Sequence, residues 1–435
     1  MEIHIAAAGD MLIQRRINHE SEGFNQVRDL LFKADARFIN LETTVHNGEF
    51  FANRFSGGSY LRISPETLED VKAYGFNIVS FANNHSMDFS HAGLMETKKH
   101  IDNFGFVNAG AGANLDEASA PSYLETKNGR VAIISVVATM DSTIGSDEAL
   151  AGKQSRRFIG RPGVNGLRID GHVEVTKDQF DVIKEVAQLS QINAQLDIER
   201  AEGYHPPLKA GTVNLKNIKF ELSDRTKYVT HPNKEDMQRI EKAIFVAKKQ
   251  ADCVLVSVHS HELSGDKKEN PADFLVEFAH NCIDAGAHAI IGHGPHLLRP
   301  VEIYKGCPIF YSLGDFVIHN ECIPFAPEDM YASQGLNSDD TMFDLFKNRS
   351  KDFTRGLMRD RRMLESVIAN FDFKDGKITN IVLTPIELNF DKEIWQSGNP
   401  RISYNHNIIE RLSDMSISFN TKIKLDAHGN GIIEI

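Results

Sequence analysis

Ala289-Ile290-Ile291-Gly292-His293-Gly294-Pro295-His296 passes from strand-type apolar residues directly into glycines and two imidazoles. An unbroken apolar run of this kind reads as a fully buried parallel strand, here one that ends in a chemically equipped loop. The same pattern recurs four times. Cys253 to Val258 leads to His259-Ser260-His261, Ile78 to Phe81 to Asn83-Asn84-His85, Phe38-Ile39 to Asn40-Leu41-Glu42, and the N-terminal run through Ala8 to Gly9-Asp10. Carboxylates, carboxamides and imidazoles at the points where strands hand over to loops are the ligand types and positions of a metal or acid/base centre in an α/β enzyme. The five clusters are expected to converge on one site.

Helical patterns fill the intervals. Phe24, Val27, Leu30, Leu31 and Ala34 share a helical face. Ser64 and Pro65 open another helix, with Leu68, Val71 and Tyr74 on its buried side and Gly75 at its end. Leu94, Lys98, Ile101 and Phe104 precede Gly105, and Val131 to Ala138 is a buried-type strand. The alternation resumes with Met237, Ile240, Ile244 and Ala247, then with Phe274, Leu275, Phe278 and Ile283 before Gly286. Ile309 to Leu313 runs into Gly314-Asp315-Phe316. The whole chain, 1–435, reads as one α/β domain. Residues 176–232 form a helical insertion, read as packing over the core rather than as a lid. Residues 328–361, rich in Asp, Asn, Ser and Lys, form a second, mobile insertion. The segment 362–435 is rich in β-structure, with a hairpin at Asp375-Gly376.

The 435 residues are 41% hydrophobic and 25% charged, an ordinary globular composition. A formal net charge of −12 argues against binding nucleic acid, which draws its affinity from clustered Lys and Arg, but leaves room for local basic pockets. Cys253, Cys282, Cys307 and Cys322 make no close pair and read as reduced thiols. No apolar run reaches the roughly 18 residues of a membrane span, and the first residues read as a strand without a basic leader. A cytoplasmic location is expected.

The ordered motifs Gly9-Asp10-Met11-Leu12, Asn40-Leu41-Glu42, Ala82-Asn83-Asn84-His85, Arg161-Pro162-Gly163, Val258-His259, Gly292 to His296 with Pro300, and Tyr311 to Phe316 resemble the CapA family. That family is named for poly-gamma-glutamate capsule biosynthesis and belongs to the calcineurin-like metallophosphoesterase superfamily. The resemblance runs from about residue 3 to residue 318. It implies a four-layer αββα sandwich of two mixed sheets. It also implies a metal set of Asp10, Glu42, Asn84, His259 and His296, with His85 as the catalytic imidazole and Asp10 and His296 sharing in catalysis. His261, His293 and Asp315 would support those ligands, Asp315 by orienting a histidine, with an ordinary surface-loop residue as the alternative for His261. Arg161 would clamp an anionic substrate group or, alternatively, form a structural salt bridge.

The sequence also departs from the superfamily pattern. Leu12 stands where Asp-x-His would place an imidazole, Gly294 stands where the last His-x-His pair begins, and His293 lies one residue earlier. The remaining oxygen-rich set suits a divalent Mn or Mg ion, with Zn or Fe as alternatives. The expected activity is metal-assisted hydrolysis of a phosphate ester or of a peptide-like, gamma-glutamyl substrate, so an anionic small molecule or peptide is the expected partner. Two alternatives stand beside it. One is a metal-independent acid/base enzyme, such as a peptide epimerase, using Asp10 and His296. The other is a non-catalytic scaffold in capsule or peptide biosynthesis. Arg299, like Arg156 and Arg157, reads as an ordinary solvated arginine.

Overall fold

The strand Glu2–Leu12 runs through the middle of a ten-stranded mixed sheet. On one side lie the parallel strands Ala36–Leu41, Ile78–Ser80 and Val107–Ala109. On the other, Glu365–Lys374 pairs antiparallel with residues 2–7, and Asp315–Ile318 takes its place, parallel, beside Asp10 to Leu12. A second, six-stranded sheet has four central parallel strands, Cys307–Leu313, Ala289–His293, Cys253–His259 and Gly129–Val137. The computed structural model describes residues 2–139, 147–337, 339–393 and 396–435.

The period-two alternation of strands explains why these runs are apolar throughout. Ile3, Ile5 and Ala7 face Ile133, Leu255, Ile291 and Phe310 in the core between the sheets. Their neighbours Ala6 and Ala8 point outward to the helices Glu22–Leu31, Leu68–Ala73 and Ser90–Asn103. Ile134, Val254 and Val256 likewise point outward, to Lys234–Lys248 and Asp273–Ala285. Both faces of both sheets are therefore covered, giving the expected four-layer αββα sandwich.

The insertions differ from their expected content. Residues 176–232 contain the helices Lys177–Ser190 and Ala194–Ala201, with Gln191 left-handed at the break, but also three strands. Those strands join Ile169–Val175 in a four-stranded sheet with its own small core of Val175, Phe180, Ala187 and Val213. Residues 328–361, where Ser338 lies outside the described residues, include the helices Glu328–Ser333 and Met342–Arg349. Tyr331, Met342 and Leu345 pack with Leu12, Leu61 and Ile318 in a separate core. The C-terminal hairpin turns at Asp375 and Gly376, both at positive φ, and completes the first sheet. All four cysteines are free, and no helix among the described residues is long and apolar enough to cross a membrane.

Candidate active site

The C-terminal ends of the parallel strands of both sheets meet at one edge, and there the five clusters come together. Gly9 allows the closest approach. A Cβ at Gly9 would lie 1.8 Å from the carbonyl oxygen of Gly314, which accepts the Asp10 backbone N–H at 3.1 Å. This crossing puts Asp10 in register with Asp315 and Asn40. Asp10 is fully buried and both its oxygens are held: Asn40 Nδ2 donates to Oδ1 at 2.7 Å and the Gly294 N–H to Oδ2 at 2.7 Å. His293 Nδ1 lies 3.3 Å and His259 Nδ1 3.7 Å from Oδ1. Burial pushes the Asp10 carboxyl upward, but the two imidazoles outweigh it and hold the group well below the usual carboxylate range.

Glu42 is the opposite case. It is fully buried, and neither carboxylate oxygen has a hydrogen-bond partner. Burial, reinforced by the charges of Asp10 and Asp315, drives its pKa well above the ordinary value. His259 Nε2 lies 3.7 Å and His85 Nε2 3.9 Å from Oε1. Asn84 donates through Nδ2 to the Gly57 carbonyl at 3.0 Å, which leaves its buried Oδ1 without a partner. Asp10, Glu42 and His296 each bring one ligand atom within 4.8 Å of the others, as do Glu42, His259 and His261. Orphaned carboxylate and carboxamide oxygens beside imidazole nitrogens fit a hard or borderline divalent cation.

The histidines are sorted by their partners. His259 and His293 are register partners on adjacent strands, with Nδ1 atoms 3.0 Å apart, and His293 Nε2 is held by Ser257 Oγ at 2.7 Å. Burial depresses His259 to about 4, so it is a neutral imidazole of ligand type. His261 Nε2 faces His259 Nε2 at 3.1 Å, and burial also pushes its pKa well down. The His261 ring is thus close enough to Glu42 and His259 for the three to offer ligand atoms within 4.8 Å of one another. Its loop is fixed from behind: Thr139 Oγ1 accepts the His261 N–H, and Thr139 and Ser260 both donate to Glu262. Arg299, read from sequence as solvated, is fully buried and donates to the carbonyls of Ser260, His261 and Lys268. Three converging acceptors compensate its burial.

Two histidines are backed by carboxylates. His85 Nδ1 meets Asp88 Oδ2 at 2.7 Å, while Asp88 also accepts the N–H groups of Gly57 and Leu61. His296 Nδ1 meets Asp315 Oδ1 at 2.9 Å. Burial raises Asp315 to about 6. Burial opposes the charged form of His296, but Asp315 outweighs it and raises the imidazole. The backbone there is special: Gly294 has φ +120° and His296 φ +58°. A Cβ at Gly294 would stand 2.9 Å from the Ser260 backbone nitrogen, which is why that position carries no imidazole. Leu12, at the other position where an imidazole is missing, packs instead against Tyr331, Met342 and Leu345 of 328–361.

Above these groups opens a cleft of about 450 Å³ that His85, His261 and His296 line. Its outer wall is the second insertion, through Phe346, Arg349, Phe353 and Arg355, and no residue of 176–232 lines it. Arg161 is not brought in. Its guanidinium donates to the Leu150 carbonyl at 2.9 and 3.1 Å and does not line the cleft. Asp88 was not among the candidates from sequence, although its spacing of three from His85 on a turn was a readable signal. Asn40 stands in one of the strand-end clusters, where its bond to Asp10 shows what the carboxamide does, while Arg349 and Arg355 carry no such local signal.

The family model described as bacterial capsule synthesis protein PGA_cap matches residues 4–320, the span that carries every one of these groups from Asp10 to Asp315. An uncharacterized Sinorhizobium fredii protein is 32% identical over 435 residues, covering 97% of this chain and 91% of its own length. A probable polyglutamine synthesis accessory protein of Mycobacterium tuberculosis is 29% identical over 283 residues, 65% of this chain and 55% of that protein. The Bacillus subtilis PGA biosynthesis protein CapA is 31% identical over 161 residues, 36% of this chain and 39% of that protein. With strand ends, site and match all coinciding, the chain belongs to the bacterial capsule synthesis protein family, PGA_cap.

Proposed function

We propose that this protein is a metal-assisted hydrolase of an anionic substrate, either a phosphate ester or a peptide-like gamma-glutamyl amide. The observation that carries this reading is the set of orphaned oxygens: both of Glu42 and Oδ1 of Asn84 are buried with no donor, next to a charged Asp10. An uncompensated buried carboxylate costs several kcal/mol, and a cation is the partner that offsets both that cost and the repulsion between the two acids. Asp10, Glu42, Asn84, His259, His261 and His296 would hold a divalent Mn, Mg, Zn or Fe ion. When bound, such an ion polarises a substrate oxygen and brings the pKa of a coordinated water toward neutrality.

The remaining chemistry falls to the chain. His85, held through Nδ1 by Asp88, turns Nε2 toward Glu42 and the cleft, where it delivers a proton to the departing oxygen or nitrogen. Water supplies the hydroxyl to phosphorus or to the carbonyl carbon and gives up its other proton to solvent, while the leaving group departs with the proton from His85, which solvent then reprotonates. Asp10 does not line the cleft and has both oxygens engaged, which gives no support to its acting as a base at a substrate carbon.

Elemental analysis of protein purified without chelator tests this reading. It should find about one or more equivalents of divalent metal per chain, lost in Glu42→Gln, with hydrolysis that chelation abolishes. Fewer than roughly 0.2 equivalents, with hydrolysis indifferent to chelator, would remove the metal from the reaction. Deuterium uptake at Cα of a peptide turned over in heavy water would replace hydrolysis by epimerisation.

A further inference from the structure

The cleft above the donor set is basic in an acidic protein. Lys268, Arg349, Arg355 and Arg359 line it against one acid, Glu321, while the chain as a whole carries −12. Their neighbours are neutralised. Arg362 pairs with Asp360 and Glu269, Arg361 with Glu365, and Arg411 with Glu365. Among the described residues, Lys268, Arg355 and Arg359 have no carboxylate within ion-pair distance. Those acids pair with cations that do not line the cleft, and leave Lys268, Arg355 and Arg359 without an ion pair of their own.

The cations are also mounted. Arg349 donates to the Gly58 carbonyl at 3.0 Å and to Ser59 Oγ at 3.2 Å, tying the second insertion to the loop whose Gly57 carbonyl accepts from Asn84. The Arg359 guanidinium carbon lies 5.8 Å from the Phe353 ring centre, a cation–π contact that limits its freedom. Lys268 belongs to the opposite half of the chain, on the loop whose carbonyl Arg299 clamps. Phe346, Phe353 and Leu357 supply apolar wall between these charges.

We propose that Lys268, Arg355 and Arg359 form a second oxyanion subsite, so that the substrate carries a carboxylate or phosphate beyond the group that reacts at the donor set. This rests on the hydrolase reading for the reacting end, but the subsite itself does not need a metal. The second insertion then selects the substrate, since it contributes two of the three cations. Arginines that are free and partly preorganised suit forked recognition of either oxyanion.

Calorimetric titration of the chelator-treated full-length protein tests the subsite alone. Two probes distinguish the source of the oxyanion: a short oligoglutamate peptide for carboxylates and tripolyphosphate for phosphates. One of them should bind the wild type, with affinity falling as salt is raised. Arg355→Ala and Arg359→Ala should each weaken that probe about tenfold, and Lys268→Ala, on a separate element, should weaken it in the same direction. Binding by neither probe, or binding unchanged in all three variants, overturns the subsite. Binding that behaves as expected in a protein that never acquires metal would sink the hydrolase reading and leave the subsite standing.

Discussion

Glu42→Gln should make the metal-free protein more stable and the metal-loaded protein less stable than the wild type. The amide has the shape of a protonated carboxyl but cannot ionise, so it removes the conflict at a buried group that has no donor and sits beside Asp10. The sign follows from proton counting. The folded pKa of Glu42 lies above its ordinary value of 4.5, so between those two values the native state binds more protons than the unfolded chain, and stability falls as pH rises. The slope is at most about 1.4 kcal/mol per pH unit. Chelator-treated wild type and variant should therefore match near pH 4.5 and diverge above it, by up to about 3 kcal/mol two units higher.

For a chain of 435 residues an unfolding entropy of about 2.1 cal/mol/K per residue turns that difference into about 3 °C in melting temperature. A divalent ion at a hundredfold excess over Kd adds about 2.7 kcal/mol to the wild type alone, enough to cancel that difference, and at a thousandfold excess about 4.1 kcal/mol, which reverses the order. The assay is a series of thermal and denaturant unfolding curves from pH 4.5 to 7, with chelator and with manganese. A stability difference that does not change with pH in chelator would refute the claim that Glu42 is an uncompensated acid. Equal metal shifts in both proteins would refute its part in holding the ion.

His85→Ala should lower kcat by about 10²- to 10⁴-fold with metal content unchanged, because the donor set stays whole while the proton source is lost. Asp88→Asn should give a smaller loss in the same assay, since it releases the His85 ring without removing it; equal metal content and full activity in both variants would discard the dyad. Gly9→Ala should cost more than about 4 kcal/mol or prevent soluble expression, because its Cβ meets a backbone carbonyl that cannot move without parting two strands. Gly105→Ala is the control: it has φ +76° but nothing within 4 Å of an added Cβ, and should cost only about 1 kcal/mol.

The parts of this molecule legible in its sequence are those whose signal is local. A strand buried on both faces must be apolar at every position, and a polar group at its end stands out against that run, so Asp10, Glu42, Asn84, His259 and His296 could be singled out before their contacts were known. Their opposed behaviour was not legible, because a carboxylate's partners decide its charge. Asp10 and Glu42 lie at equivalent strand ends, yet one receives donors from residues 40 and 294 and the other receives none. Arg299 fails for the same reason, since nothing near it in sequence announces three carbonyls from residues 260, 261 and 268. The second insertion is the sharpest case. Its polar composition reads as surface, but Tyr331, Met342 and Leu345 need only a few apolar contacts with Leu12 and Leu61 to fix it over the site. Leu12 thus replaces a would-be metal ligand with an anchor, giving up one imidazole and gaining a wall that carries Arg349, Arg355 and Arg359. His261, with its Nε2 3.1 Å from that of His259, brings a further imidazole to the same group of side chains.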